Sequence, residues 1–157
     1  MSTDVRTQLS AEHLTILRAG YSRAVMNAVA TKVVQAPYPP LAGLVSFAAE
    51  RFYNEAPPVL GHADRERSLI LLLAADRRPA FAQAVHCYWG LMEGLSVDEI
   101  AEVLSLCALY GGLDAFTDAM RVLQTALAQL TQAAHQGGDA ATSAVLLPAL
   151  VAAFRPA

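Results

Sequence analysis

The chain has 157 residues, more than half of them apolar, with 11 basic and 14 acidic side chains and a net charge of -3. That length fits one domain with a proper core. The mild acidity excludes the basic stripe that nucleic acid would require and the polybasic patch of a membrane-surface protein. The two cysteines, Cys87 and Cys107, lack the spacing of a metal site or a disulfide framework. The leading MSTDVRTQLS shows no basic-then-apolar signal pattern, so a reduced, cytoplasmic protein is expected.

Taken in order, the residues before about Leu9 read as a frayed leader. Ser10 can cap a long helix from Ala11 to about Val34, on which Leu14, Leu17, Tyr21, Ala24, Val25 and Ala28 recur at helical spacing. Gln35–Pro40 is a Pro-rich break. Pro40 is placed to open a next helix with Leu41, Leu44, Val45, Ala48 and Phe52 along its apolar stripe. Asn54–Ala63, with Pro57-Pro58 and Gly61, reads as a connector.

The next helix is expected to start at Asp64, a good N-cap residue, with Glu66 in its first turn where a carboxylate favours the helix dipole. Its run Ser68–Ala75 is rich in Leu and Ala and has no Val or Thr, which favours helix over strand. The run is far shorter than the roughly 20 apolar residues that a membrane span needs. Pro79 forces a stop near Arg78 and opens a helix to Glu93, which Gly94 ends as a left-handed cap. Ser96-Val97-Asp98-Glu99 is a capping box flanked by Leu95 and Ile100 at the hydrophobic-staple positions. The helix it starts is apolar almost all round from Ile100 to Tyr110, so it is expected to lie buried between others, and Gly111-Gly112 ends it.

Asp114 can cap a helix through about Ala134, with Phe116, Met120, Leu123, Leu127 and Leu130 on its apolar side. Gln136-Gly137-Gly138 breaks it. Ala140–Phe154 is an apolar segment with Pro148 inside, where a kink or restart is expected. There is no strand or hairpin signal and no solenoid repeat. The reading is one all-α domain of about six to seven helices. It has an N-terminal helix pair over residues 10–55, a core over 58–127 and a C-terminal helix over 139–155. The surplus of Ala and Leu suggests that some faces close against another subunit.

The residues with chemical capacity are few. His86 sits mid-helix beside Ala82, Val85 and Tyr88, and the bland reading is a core histidine hydrogen-bonded to a carbonyl or to Glu66. Glu66 is explained by the helix dipole alone, or else as a buried carboxylate aimed at His86. Tyr110 and Trp89 are ordinarily packing aromatics, and Arg77-Arg78 is ordinarily a solvated junction, though it could flank a pocket mouth. His13, His62 and His135 have no carboxylate or cysteine at metal spacing, so neither a metal nor a cofactor is expected.

Several of these features occur in a recognisable order. Arg65-Glu66 heads an apolar helix and His86 follows about 20 residues later. The turn Glu93-Gly94-Leu95-Ser96-Val97-Asp98-Glu99-Ile100 comes next, and Tyr110-Gly111-Gly112 closes the helix after it. From roughly Pro58 to Leu127 this series resembles the carboxymuconolactone decarboxylase family, which belongs with the alkylhydroperoxidase D-like fold. The resemblance implies an all-α bundle whose central helices pack against a second subunit, in trimers or hexamers.

It also implies one of two chemistries. The peroxidase branch uses a Cys-x-x-Cys pair one turn ahead of the histidine. Those positions hold Pro79 and Ala82 here, so the disulfide exchange of peroxide reduction is not expected. The decarboxylase branch needs no thiol or metal. It needs a site for the enolate charge left by CO₂ and an acid to protonate carbon. His86 and Glu66 stand at the matching positions as the catalytic candidates; Arg65, Arg67, Arg77 and Arg78 are all available for the substrate carboxylates, with Arg77 and Tyr110 taken as the candidate substrate contacts. The expected function is a cofactor-free lyase acting on a small organic acid. The alternatives are a non-catalytic helical oligomer binding a small apolar ligand, and a thiol enzyme acting through Cys87 or Cys107.

Overall fold

The computed structural model of the chain describes residues 4–28 and 60–154, and every regular element among them is helical. The Pro-rich break at Gln35–Pro40, the helix stripe from Leu41 to Phe52 and most of the connector lie outside the described residues.

Residues 4–9 are not the frayed leader expected; residues 1–3 lie outside the described residues. Val5–Thr7 is a 3-10 turn whose cap, Asp4, accepts from the Arg6 amide. Val5 and Leu9 are buried, and the Thr131 hydroxyl donates to the Gln8 carbonyl, tying the segment down. Helix α1 is Ala11–Ala19, opened by a capping box between Ser10 and His13. It stops long before Val34. Gly20 lies against the Ala141 carbonyl, and the Ser143 amide donates to the Gly20 carbonyl, so that carbonyl is unavailable to a further helical turn. Ser22 then accepts from the Val25 amide and starts a new helical stretch at residues 23–28.

Helix α2 is His62–Ala75, starting two residues before Asp64 with Gly61 at its N-cap. Arg77 ends it in the left-handed region, at φ 49°, with the Arg78 amide donating to the Leu73 carbonyl in a Schellman closure. Helix α3 is Ala80–Met92, with Pro79 as its N-cap residue. The Leu95 amide donates to the Gly90 carbonyl across Gly94, closing α3 as its sequence predicts.

Helix α4 spans Val97–Gln136 and opens with the Ser96–Glu99 capping box. It bends at Gly112, whose φ of 82° only glycine holds without strain. The helix expected from Asp114 is therefore the second arm of α4. A 3-10 turn, Gly138–Ala141, leads into α5, Ser143–Ala153. Helix α5 runs on through Pro148 without a restart. Pro148 and Ala144, whose carbonyl loses its partner, both face solvent, so water can satisfy that carbonyl.

Helix α4 is the spine: it packs against every other described element. An 18-residue window of it reaches a mean hydropathy of 1.3, apolar and long enough to cross a membrane by composition, but the chain uses it as the bundle's central support. The four-residue link makes α2 and α3 an antiparallel hairpin, and Gly90 lets them close. A Cβ there would come within 2.9 Å of Leu95 and 3.2 Å of Ile70. The first arm of α4 buries Ile100, Val103, Leu104 and Cys107 but is not enclosed on all sides as expected. Leu106, Leu109, Tyr110 and Leu113 are exposed, as is Leu72 on α2.

Candidate functional site

The close approach at Gly90 sets Glu66 of α2 against α3, with the Glu66 Cβ 3.6 Å from where a Gly90 Cβ would stand. His86 lies one turn earlier on α3. Glu66 Oε2 and His86 Nδ1 are 2.7 Å apart, a charge-assisted geometry. The Glu66 side chain is 2% exposed and the His86 side chain 17%. A carboxyl so deeply buried is rare unless paired. Burial raises the Glu66 carboxyl above the usual carboxylate range, and the His86 hydrogen bond only partly offsets this. The His86 ring stacks near Trp89, at 6.0 Å between centroids and 18° between planes.

Beside this pair lies a second polar cluster that the sequence reading did not find. Arg23 grips Glu93 at both oxygens, with Nε to Oε1 at 3.0 Å and Nη2 to Oε2 at 2.7 Å. The Tyr21 hydroxyl donates to the same Glu93 Oε1. Burial, then the Glu93 hydrogen bond, push the Tyr21 phenol far up. Glu93 is held below the usual range: burial acts to raise it, but the bonds from Arg23 and Tyr21 outweigh that. The negative charge of Glu93 adds to the rise at Glu66, so the two clusters sense each other.

His62, in the first turn of α2, completes this corner. Its Nε2 is buried with no hydrogen-bond partner among the described residues. Burial and the Arg23 cation lower its basicity. Arg18, at the end of α1, donates twice to the Leu91 carbonyl, at 3.0 and 2.9 Å, adding to the long 3.4 Å bond that this carbonyl accepts from the Gly94 amide at the end of α3.

The other predicted residues lie elsewhere. Tyr110 is 81% exposed on the first arm of α4. Its neighbour Gly111 packs on Ala75, nine residues beyond Glu66 and so roughly 13 Å along α2. Arg77 sits past the far end of α2, where its Nη2 meets Asp118 Oδ2 at 2.6 Å. Arg67 pairs with Glu99 at 3.0 Å and with Asp64, and so braces the capping box. Arg65 is buried beside Glu66 in sequence and lies within electrostatic reach of His62. Cys87 and Cys107 are buried and unbridged. Burial pushes the Cys87 thiol up to about 12 and raises Cys107 too, which disfavours the reactive thiolate. Among the described residues, no group of three or more potential metal ligands converges.

The sequence profile of the carboxymuconolactone decarboxylase family matches residues 41–125, more than half of the chain. The chain belongs to this family. Neither a curated protein nor a solved structure gives a significant match. Within this carboxymuconolactone decarboxylase family member, the matched span holds Glu66, His86 and Glu93. Arg18, Tyr21 and Arg23 lie before it. The brace on Glu93 is thus built partly from residues outside the family region.

Proposed function

We propose that the chain is a cofactor-free carboxy-lyase-like enzyme in which His86 transfers a proton to or from a small organic acid. One observation carries the reading: a carboxyl 2% exposed, on a different helix, meets the Nδ1 of an imidazole that keeps some access to solvent. Such a carboxyl can fix the ring's tautomer and stabilise the imidazolium. Loss of CO₂ from an unsaturated lactone acid leaves an enolate, and His86 is the acid that returns a proton to carbon. Pro79 and Ala82 in place of a thiol pair argue against peroxide reduction.

The test is CO₂ release from a panel of small unsaturated lactone carboxylic acids, using the wild-type chain and His86→Ala. The variant should lose about 10²–10⁴-fold. Turnover that survives His86→Ala within a few-fold, or no turnover of any acid in the panel by the wild-type chain, overturns the proposal.

A second reading rests on the exposed apolar face of Leu72, Leu106, Leu109, Tyr110 and Leu113. On this reading the face closes against further copies of the chain, as trimers or hexamers of the family kind, and Tyr110 is an interface residue. A non-catalytic oligomer binding a small apolar ligand would use the same face. Measured turnover separates it from the enzyme.

A further inference from the structure

The α2–α3 hairpin closes on a seam that carries two carboxyl groups. On α3 and its C-cap, His86, Trp89, Gly90 and Glu93 follow one another at spacings of three and four, so they share one face. On α2, His62, Glu66 and Ile70 do the same. The Glu66 Cβ lies 3.6 Å from where a Gly90 Cβ would stand. Positions three apart on a helix have Cβ atoms roughly 5–6 Å apart, so Glu93 branches within roughly 10 Å of Glu66. The Glu66 side chain is 2% exposed and the Glu93 side chain 8%. Solvent and salt screen charges so placed far less than surface ones.

Two buried carboxyls this close do not ionise independently, and their surroundings decide which one keeps the charge. Glu93 has the stronger partners. Arg23 meets both of its oxygens, at 3.0 and 2.7 Å, and the Tyr21 hydroxyl donates to Oε1. Glu66 has the His86 imidazole, at 2.7 Å. The negative charge is therefore fixed at Glu93, and its field falls on the Glu66–His86 pair. Burial raises the Glu66 carboxyl, the His86 hydrogen bond lowers it, and Glu93 raises it again. The other charged or titratable groups at the hairpin are His62 and Arg65 on α2, Arg18 on the Leu91 carbonyl, and the thiols of Cys87 and Cys107, which burial keeps protonated. The remaining buried side chains of α4, and every side chain of α5, are uncharged.

We propose that Glu93 is a positioning residue for the reaction assigned to His86: its carboxylate, locked by Arg23 and Tyr21, keeps a proton on the Glu66–His86 pair, so that the pair stands ready as an acid. This role presupposes the lyase reading; the charge coupling behind it does not. A fixed negative charge favours the state in which the pair holds its proton over the state in which it has lost it. In turnover that proton passes through His86 to the substrate carbon and is replaced from solvent. Tyr21 and Arg23 precede the matched family region, so this control comes from the chain's own N-terminal segment.

The test is a magnetic-resonance titration of the full chain, isotope-labelled at the histidine ring nitrogens. The His86 signals, identified by their loss in His86→Ala, give the pH at which the pair releases its proton. Glu93→Gln should lower that pH by about one unit, the size of one charge at roughly 10 Å in a medium of effective dielectric about 20. Arg23→Gln breaks the same ion pair but leaves the carboxylate, which the Tyr21 bond still favours, and should not lower it. The double variant, Arg23→Gln with Glu93→Gln, leaves no orphan charge to unfold the chain and should lower it as Glu93→Gln does. A brace with a merely structural role would move all three alike. The alkaline limb of the kcat/KM profile should shift with the ring titration in each variant. A titration unmoved in Glu93→Gln and in the double variant, or lowered equally in Arg23→Gln, overturns the proposal. Failure to release CO₂ from any acid overturns the lyase reading instead, and the ring titration still decides the coupling.

Discussion

Glu66 is costly where it stands. Burial disfavours its charged form, so its folded-state pKa lies above the unfolded value of about 4.3. The folded state therefore holds a proton that the unfolded state releases. Stability should fall as pH rises from that unfolded value through the raised folded one. Glu66→Gln removes the titration and keeps the shape. Chemical denaturation at pH 4 and pH 7 should show the stability of the variant relative to wild type growing with pH. A difference constant across that range would mean that Glu66 is not strained by burial. The candidacy of Glu66 and His86 was legible because family-like spacing marked both. Their hydrogen bond was only one of two open readings, since it depends on how closely α2 approaches α3. The glycine that permits this approach, Gly90, lies inside a helix, where spacing gives no reason to expect it.

At the level of elements, legibility follows sequence separation. The capping box at Ser96 and the turn at Gly94 are local, and both form as expected. The stop of α1 at Gly20 was misread because its cause, the Ala141 carbonyl and the Ser143 amide, lies more than 120 residues away. The Arg23–Glu93 brace spans 70 residues and has no local signature. Three consequences can be measured. Gly90→Ala should push Leu95 and Ile70 aside and destabilise by about 1–3 kcal/mol, as overpacking does, with activity falling as the pair separates. Arg18→Ala removes the two bonds to Leu91, and should cost about 1–3 kcal/mol in denaturant midpoint and loosen α1 first in hydrogen exchange. Glu93 has a depressed folded pKa, so its contribution is present above about pH 4.3 and is lost as pH falls through the folded value. Acid should therefore release the residue 21–28 segment, and Glu93→Gln should abolish that acid sensitivity in exchange rates.

For the whole molecule, composition and helical period were sufficient for the all-α class, and the matched family region is consistent with the ordered series of motifs. They could not say which apolar faces stay open. The stripe from Ile100 to Tyr110 reads as buried all round, yet one side of it, with Leu113 and Leu72, faces outward in the single chain. On the assembly reading, further copies of the chain cover this exposed apolar face. Leu109→Asp with Leu113→Asp should lower the mass measured by light scattering to that of one chain and leave the helical circular dichroism intact. A wild-type chain that is already monomeric would remove the assembly reading.

The central claim is that Glu66 acts through His86 on a proton in flight. The measurement that reaches it most directly is a double-mutant cycle on the rate of CO₂ release, with Glu66→Gln, His86→Ala and both together. Groups acting as one unit are strongly non-additive. Glu66→Gln alone should slow the reaction, and adding it to His86→Ala should slow it no further. Two independent losses that multiply, or a His86→Ala rate within a few-fold of wild type, would contradict the account.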